Sequence, residues 1–119
     1  KKTIDIKLAI SAYISDDYIH EDRVRLELYR RLSKASDIQD IYKIEEEMED
    51  RFGKPDIFTK QFIELIIIKI LALNLGIQSI SSYEMNITFT KANDTKETIK
   101  SPSKDDDDII ATTLRYLRK

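Results

Sequence analysis

A chain of 119 residues without cysteine is long enough for one hydrophobic core, and it excludes disulfides and thiolate metal sites. With 41% apolar and 35% charged residues it is no disordered chain, and a net charge of -2 provides no overall positive field for a polyanion. No basic stretch followed by an apolar run and a cleavage site opens it, so the expected location is the cytoplasm. Residues 1–119 read as one domain cut from a longer polypeptide, because an alternating strand begins within two residues of Lys1.

Thr3 to Tyr13 alternates Ile4, Ile6, Leu8, Ile10 and Ala12 against Asp5, Lys7, Ala9 and Ser11, the pattern of a half-buried strand. Ser15, Asp16 and Asp17 then supply helix-starting oxygens, and Glu21 to Leu32 reads as a first helix. Val24, Leu26, Leu28, Tyr29 and Leu32 form its apolar arc, and Arg25 falls inside that arc. Either Arg25 pairs with a carboxylate, Asp50 and Glu49 being the candidates, or its stem packs while its head reaches water. Ser36 and Gln39 make a capping-box pattern for a second helix, Asp37 to Phe52, with Ile38, Ile41, Tyr42, Ile44, Met48 and Phe52 on one face. Gly53 suits the residue of positive φ that ends a helix, and Pro55 suits the start of the next. The acidic run Glu45, Glu46, Glu47, Glu49 and Asp50 is either a solvated face or a binding surface.

Asp56 to Leu75 is apolar in every direction around a helix and is expected to be covered on most sides. Lys60, Gln61, Glu64, Lys69 and Asn74 interrupt the run of about 20 apolar residues that a membrane span needs. After Gly76 the period changes to two. Ile77 to Ile80 and Glu84 to Thr90 read as strands, Lys91 to Lys96 as a turn, and Glu97 to Lys100 as a short returning strand. Asp105 to Asp108 then lead into a last helix, Ile109 to Leu117, with acidic residues at its start and Arg115, Arg118 and Lys119 at its end, as the macrodipole favours. Consecutive Asp residues at a helix start point in different directions, and no Gly or Glu follows at calcium-loop spacing. The expected architecture is α+β: an N-terminal strand, three helices, a small sheet completed after Gly76, and a C-terminal helix.

Catalytic patterns are missing. Gly53 and Gly76 are the only glycines, so no phosphate-binding loop can form, and the single histidine, His20, lacks the partners of a triad or a metal site. No catalytic, cofactor-binding or metal residue is therefore assigned. Tyr13, Tyr29, Tyr42, Tyr83 and Tyr116 lie on or beside apolar stripes without interleaved basic residues, which places them in the core rather than on a nucleic-acid platform.

Two stretches together resemble a known family. Ala12-Tyr13-Ile14, Tyr18-Ile19, Arg25-Leu26, Tyr29 and Arg30-Arg31-Leu32, followed by Glu47-Met48-Glu49-Asp50-Arg51-Phe52-Gly53 and Pro55, are similar to the C-terminal domain of the bacterial transcription-repair coupling factor (Mfd). The resemblance implies a regulatory domain of a large DNA translocase that acts in nucleotide excision repair of DNA damage. Such a parent displaces stalled RNA polymerase and recruits UvrA. Its ATP-binding and helicase motifs lie outside this stretch. The domain itself would be non-catalytic and monomeric, needing no cofactor, and would pack against the UvrA-binding module to hold the protein closed. Within the matching residues, Leu26, Tyr29, Leu32 and Phe52 are expected to pack, Gly53 to turn the chain, and Arg25, and Asp50 or Arg51, each to be a member of an ion pair. Glu46, Glu47 and Asp50 are the candidate interdomain contact, on the expectation that an acidic surface meets a basic one. The alternative is an accessory DNA-contacting domain using Arg23, Arg30, Arg31, Lys54 and Lys60.

Overall fold

Parallel and antiparallel pairing combine in one four-stranded sheet, and the computed structural model, which describes residues 3–119, gives the α+β architecture expected. The chain forms β1 (Asp5–Lys7), α1 (Asp22–Lys34), α2 (Ile38–Phe52), α3 (Ile57–Asn74), β2 (Ile77–Tyr83), β3 (Asn86–Lys91), β4 (Lys96–Lys100) and α4 (Asp106–Leu117). It divides into a helical unit, Ser11–Ile67, and a sheet unit made of residues 3–10 together with Ile68–Lys119. The long helix α3 supplies residues to both.

In the sheet unit the strand order is β1-β2-β3-β4, with β1 parallel to β2 and the other pairs antiparallel. The register sets Ile6 beside Ile80, Ile80 beside Phe89, and Ile87 beside Ile99, so the apolar side chains gather on one face. Ile68 and Ala72 of α3 and Ile109, Ile110 and Leu117 of α4 join Ile77, Ile80, Ile87 and Phe89 in a buried cluster. The other face carries Ser79, Ser81, Thr88, Thr90 and Thr98, with the Thr88 and Thr98 hydroxyls 2.9 Å apart. β1 is much shorter than the alternation from Thr3 to Tyr13 predicts. The Ala9 N–H donates to the Ser82 Oγ at 2.8 Å and the Ile10 N–H to the Leu8 carbonyl, so the chain leaves the sheet after Lys7.

The helical unit buries Leu28 and Leu32 of α1, Ile41, Ile44 and Met48 of α2, and Ile63, Ile66 and Ile67 of α3, together with Ile14 and Ile19. At roughly 1.5 to 3 kcal/mol for each large apolar side chain fully buried, these residues supply most of its cohesion. Local details differ from the sequence reading. Asp37, not Ser36, caps α2, its carboxylate accepting from the Gln39 N–H at 2.9 Å. The Ser15 oxygens open a separate turn, taking N–H donors from Asp17, Tyr18 and Ile19, and contribute nothing to the start of α1. Leu26 is 60% exposed rather than packed. The middle of α3 is covered as expected, but Ile57 and Phe58 at its start and Leu75 after its end are exposed. Tyr13, Tyr42 and Tyr83 also lie outside the core, because a residue at the margin of an apolar stripe can turn its ring to solvent.

Candidate protein-contact surface

The acidic face of α2 separates into two sets of side chains. Glu47 is engaged inside the unit: Arg31 Nη1 and Nη2 donate to its two oxygens at 2.7 and 2.8 Å, and Arg51 approaches to 3.5 Å. This two-pronged hydrogen bond from Arg31 holds the Glu47 carboxyl below the usual range and raises Arg31 in return. Glu45 accepts from Lys60 Nζ at 2.8 Å, which ties α2 to α3 and raises the lysine. Glu46 and Asp50, one helical turn apart, and Glu49 beside them, stay exposed with no ion pair among the described residues. Of the three residues expected at an interdomain contact, two therefore present free carboxylates together and the third braces α1.

The Asp50-Arg51-Phe52-Gly53 step forms a joint. Phe52 meets Tyr18 edge-on with ring centroids 6.0 Å apart, and the Arg51 guanidinium sits 4.8 Å from the Phe52 centroid. The Tyr18 hydroxyl lies 2.6 Å from the Gly53 carbonyl oxygen and 3.2 Å from that of Met48. Burial, followed by the charges of Glu49, Asp56 and Glu45, pushes the Tyr18 phenol up to about 12. Gly53 has φ 86° and ψ -175°, the positive φ expected of it. Tyr29 donates nothing to this joint; its hydroxyl accepts from the Ile14 N–H at 2.6 Å and its ring meets Phe62 at 5.0 Å.

Arg25 is largely buried, as its place in the apolar arc predicts, but its partners are not Asp50 or Glu49. It pairs with Asp22 one turn earlier and donates to the carbonyls of Ile19 and His20. The guanidinium thus closes the loop that leads into α1, where carbonyls near the helix start lie within reach of a residue in its first turn.

A second feature of this unit escaped the sequence reading. The rings of Tyr13 and Phe58 stack at 5.1 Å and 12°, and with Ile57 they form an exposed apolar group. The adjacency of Ile57 and Phe58 was visible in sequence, but nothing there placed Tyr13 beside them. Among the basic residues weighed for DNA contact, Arg30 pairs with Glu27, Arg31 with Glu47 and Lys60 with Glu45, leaving Arg23 and Lys54 without an ion pair among the described residues. At the start of α4, carboxylate oxygens of Asp105, Asp107 and Asp108 lie within 4.8 Å of one another, closer than consecutive helix-start residues were expected to come. The Ser103 hydroxyl explains this, accepting from the Asp105 N–H and donating to Asp108 at 2.6 Å.

Residues 8–101 match the model of the TRCF domain. The transcription-repair-coupling factors of Helicobacter pylori strains J99 / ATCC 700824 and ATCC 700392 / 26695 are 45% and 46% identical to this chain over 98% and 99% of it. That of Rickettsia prowazekii (strain Madrid E) is 32% identical over 66% of the chain. The chain spans 12% of the length of the two Helicobacter proteins and 7% of the Rickettsia one. A crystal structure of the C-terminal domain of transcription-repair coupling factor superimposes with a TM-score of 0.71 at 25% identity, covering 75% of this chain and 55% of that one.

Proposed function

The chain belongs to the TRCF domain family, and from that premise we propose that it is a non-catalytic regulatory domain of a coupling factor, packing on the UvrA-binding module to keep the translocase closed until stalled RNA polymerase is engaged. The observation that supports this reading most is the pair of free carboxylates, Glu46 and Asp50, on a helix braced from behind by the Arg31–Glu47 and Lys60–Glu45 pairs. Exposed carboxylates on a fixed helix attract a basic partner surface without the desolvation cost of a buried pair, so the contact can open again. In this reading the motor, UvrA, RNA polymerase and double-stranded DNA are met through the parent protein, and this domain acts by occupying a surface.

Deleting the segment corresponding to this chain from the full-length protein is expected to raise its affinity for UvrA and its unstimulated DNA translocation, because masking lowers apparent affinity by the fraction of molecules that are open. Glu46→Lys with Asp50→Lys is expected to reproduce part of that gain, while the isolated chain carrying both changes keeps its thermal midpoint. Equal UvrA affinity of the deleted and intact proteins would refute the clamp.

A further inference from the structure

The edge of β4 has a polarity that its register fixes. The Lys91 N–H donates to the Thr95 carbonyl at 2.8 Å and the Ser101 N–H to the Met85 carbonyl at 2.7 Å, at the two ends of the β3–β4 ladder. With Phe89 opposite Glu97 and Ile87 opposite Ile99, alternation in an antiparallel ladder turns the backbone groups of Thr95, Glu97, Ile99 and Ser101 toward β3. Those of Lys96, Thr98 and Lys100 therefore point outward. β4 is the last strand of the sheet, and these three residues are exposed. Their N–H and C=O groups form an unoccupied strand template.

Beside this edge lies a cleft of about 320 Å³ between β4 and α4, lined by Ile99, Lys100, Thr112, Arg115, Tyr116 and Lys119. Lys100, Arg115 and Lys119 have no carboxylate partner among the described residues; Arg115 reaches only the Thr112 hydroxyl and Lys119 rests over the Tyr116 ring. The nearby carboxylate, Glu97, is occupied by the Tyr116 hydroxyl at 2.6 Å, a bond that helps push that phenol up to about 12. On the α4 side Arg115 and Lys119 thus set two cations against the single carboxylate of Glu97, while Lys96 and Lys100, in step with Thr98, carry two more on the opposite face of β4.

We propose that the free edge of β4 and the basic cleft beside it take up an extended acidic segment of another protein by strand addition. An added strand supplies the alternating donors and acceptors that Lys96, Thr98 and Lys100 require, and its side chains alternate between the α4 side, beside Arg115 and Lys119, and the opposite face, beside Lys96 and Lys100. Two other occupants fit less well. A phosphodiester backbone offers acceptors only, so the outward carbonyls of the edge would face its oxygens unpaired. A second copy pairing β4 against β4 about the central Thr98 would set Lys96 opposite Lys100, a like-charge pair that opposes self-association.

The test uses the 119-residue chain with blocked synthetic peptides. A peptide alternating Glu and Val is expected to bind, and to protect the amide protons of Lys96, Thr98 and Lys100 from exchange while those of Glu97 and Ile99, already bonded within the sheet, change little. N-methylation of alternate peptide bonds, or replacement of its Glu residues by Lys, is expected to weaken binding by at least about tenfold. Thr98→Pro removes the central outward donor without touching a backbone bond to β3, the Thr88 contact being lost with the hydroxyl, and is expected to do the same. Lys100→Glu with Lys119→Glu gives an independent variant on exposed positions should the proline perturb the sheet. Unchanged binding of the N-methylated or the Lys-containing peptide would overturn strand addition or the acidic preference respectively. Tighter binding of a single-stranded oligonucleotide to the same residues, or a dimer abolished by Thr98→Pro, would overturn the choice of partner.

Discussion

The Tyr18 hydroxyl lies 2.6 Å from the carbonyl oxygen of Gly53, joining the turn before α1 to the residue that ends α2. A phenol that donates here must stay protonated, which gives the joint a pH dependence with a definite sign. Burial and nearby carboxylates raise the folded-state value from 10.0 to about 12, so the stabilisation is fully present below pH 10 and lost as pH rises through about 12. Tyr18→Phe is expected to lower stability at neutral pH by about 1 kcal/mol. The difference between the two proteins should shrink when thermal midpoints are compared across that alkaline window.

Gly53→Ala is expected to cost about 1 to 3 kcal/mol. A Cβ at Gly53 would meet nothing within 4 Å, so the whole loss comes from the backbone at φ 86°. Asn, which tolerates the left-handed helical region, should not rescue, because ψ is -175°. D-alanine, for which this conformation is ordinary, should stabilise the chain by roughly 0.4 to 1 kcal/mol. Urea midpoints of the three variants decide the matter.

Arg25 and Asp22 should respond unequally. The Arg25 side chain is 18% exposed and serves two carbonyls as well as the carboxylate, whereas Asp22 is 94% exposed. Arg25→Met is expected to destabilise by about 1 to 3 kcal/mol, through carbonyls left without a donor. Asp22→Ala should cost less than about 1 kcal/mol. Equal losses in chemical denaturation would mean that the ion pair, not the carbonyls, carries the effect.

The Arg31–Glu47 pair is about one-third exposed on both sides, so solvent screens it. A double-mutant cycle with Arg31→Ala and Glu47→Ala should give a coupling of roughly 0.5 to 1 kcal/mol. Because Arg31 lowers the carboxyl, the coupling should be present above the ordinary value of 4.5 and fade as pH falls through the depressed one. A coupling that does not change between neutral and acid pH would contradict this.

Periodicity carried the fold a long way. The all-round apolar run of α3, the alternation in β3 and the glycine after Phe52 each answer to one local rule, and each appears where that rule puts it. Partner choice was less accessible. A helical wheel shows that Arg25 faces inward, but not that carbonyls of the preceding loop lie within its reach. The same wheel ranks Leu26 with Leu28, although Leu26 faces solvent. At the candidate surface the acidic run itself was plain, whereas its division into braced Glu47 and free Glu46 and Asp50 depends on where α1 lies. The outward parity of β4 was hidden for a similar reason: it requires knowing which residue of β3 stands opposite each of its own.

The parallel pairing of β1 with β2 has a consequence for synthesis. Ala9 and the serine that receives its N–H are 73 positions apart, with the whole helical unit encoded between them. At about 5 to 20 residues per second, β1 waits roughly 4 to 15 s for its neighbour to be made. A long apolar strand left unpaired for that time would be a site for wrong associations. Three residues with Asp5 and Lys7 on either side of Ile6 offer little to a stranger, so the shortness and charge of β1 protect a chain whose β1 must wait for a strand encoded beyond the helical unit.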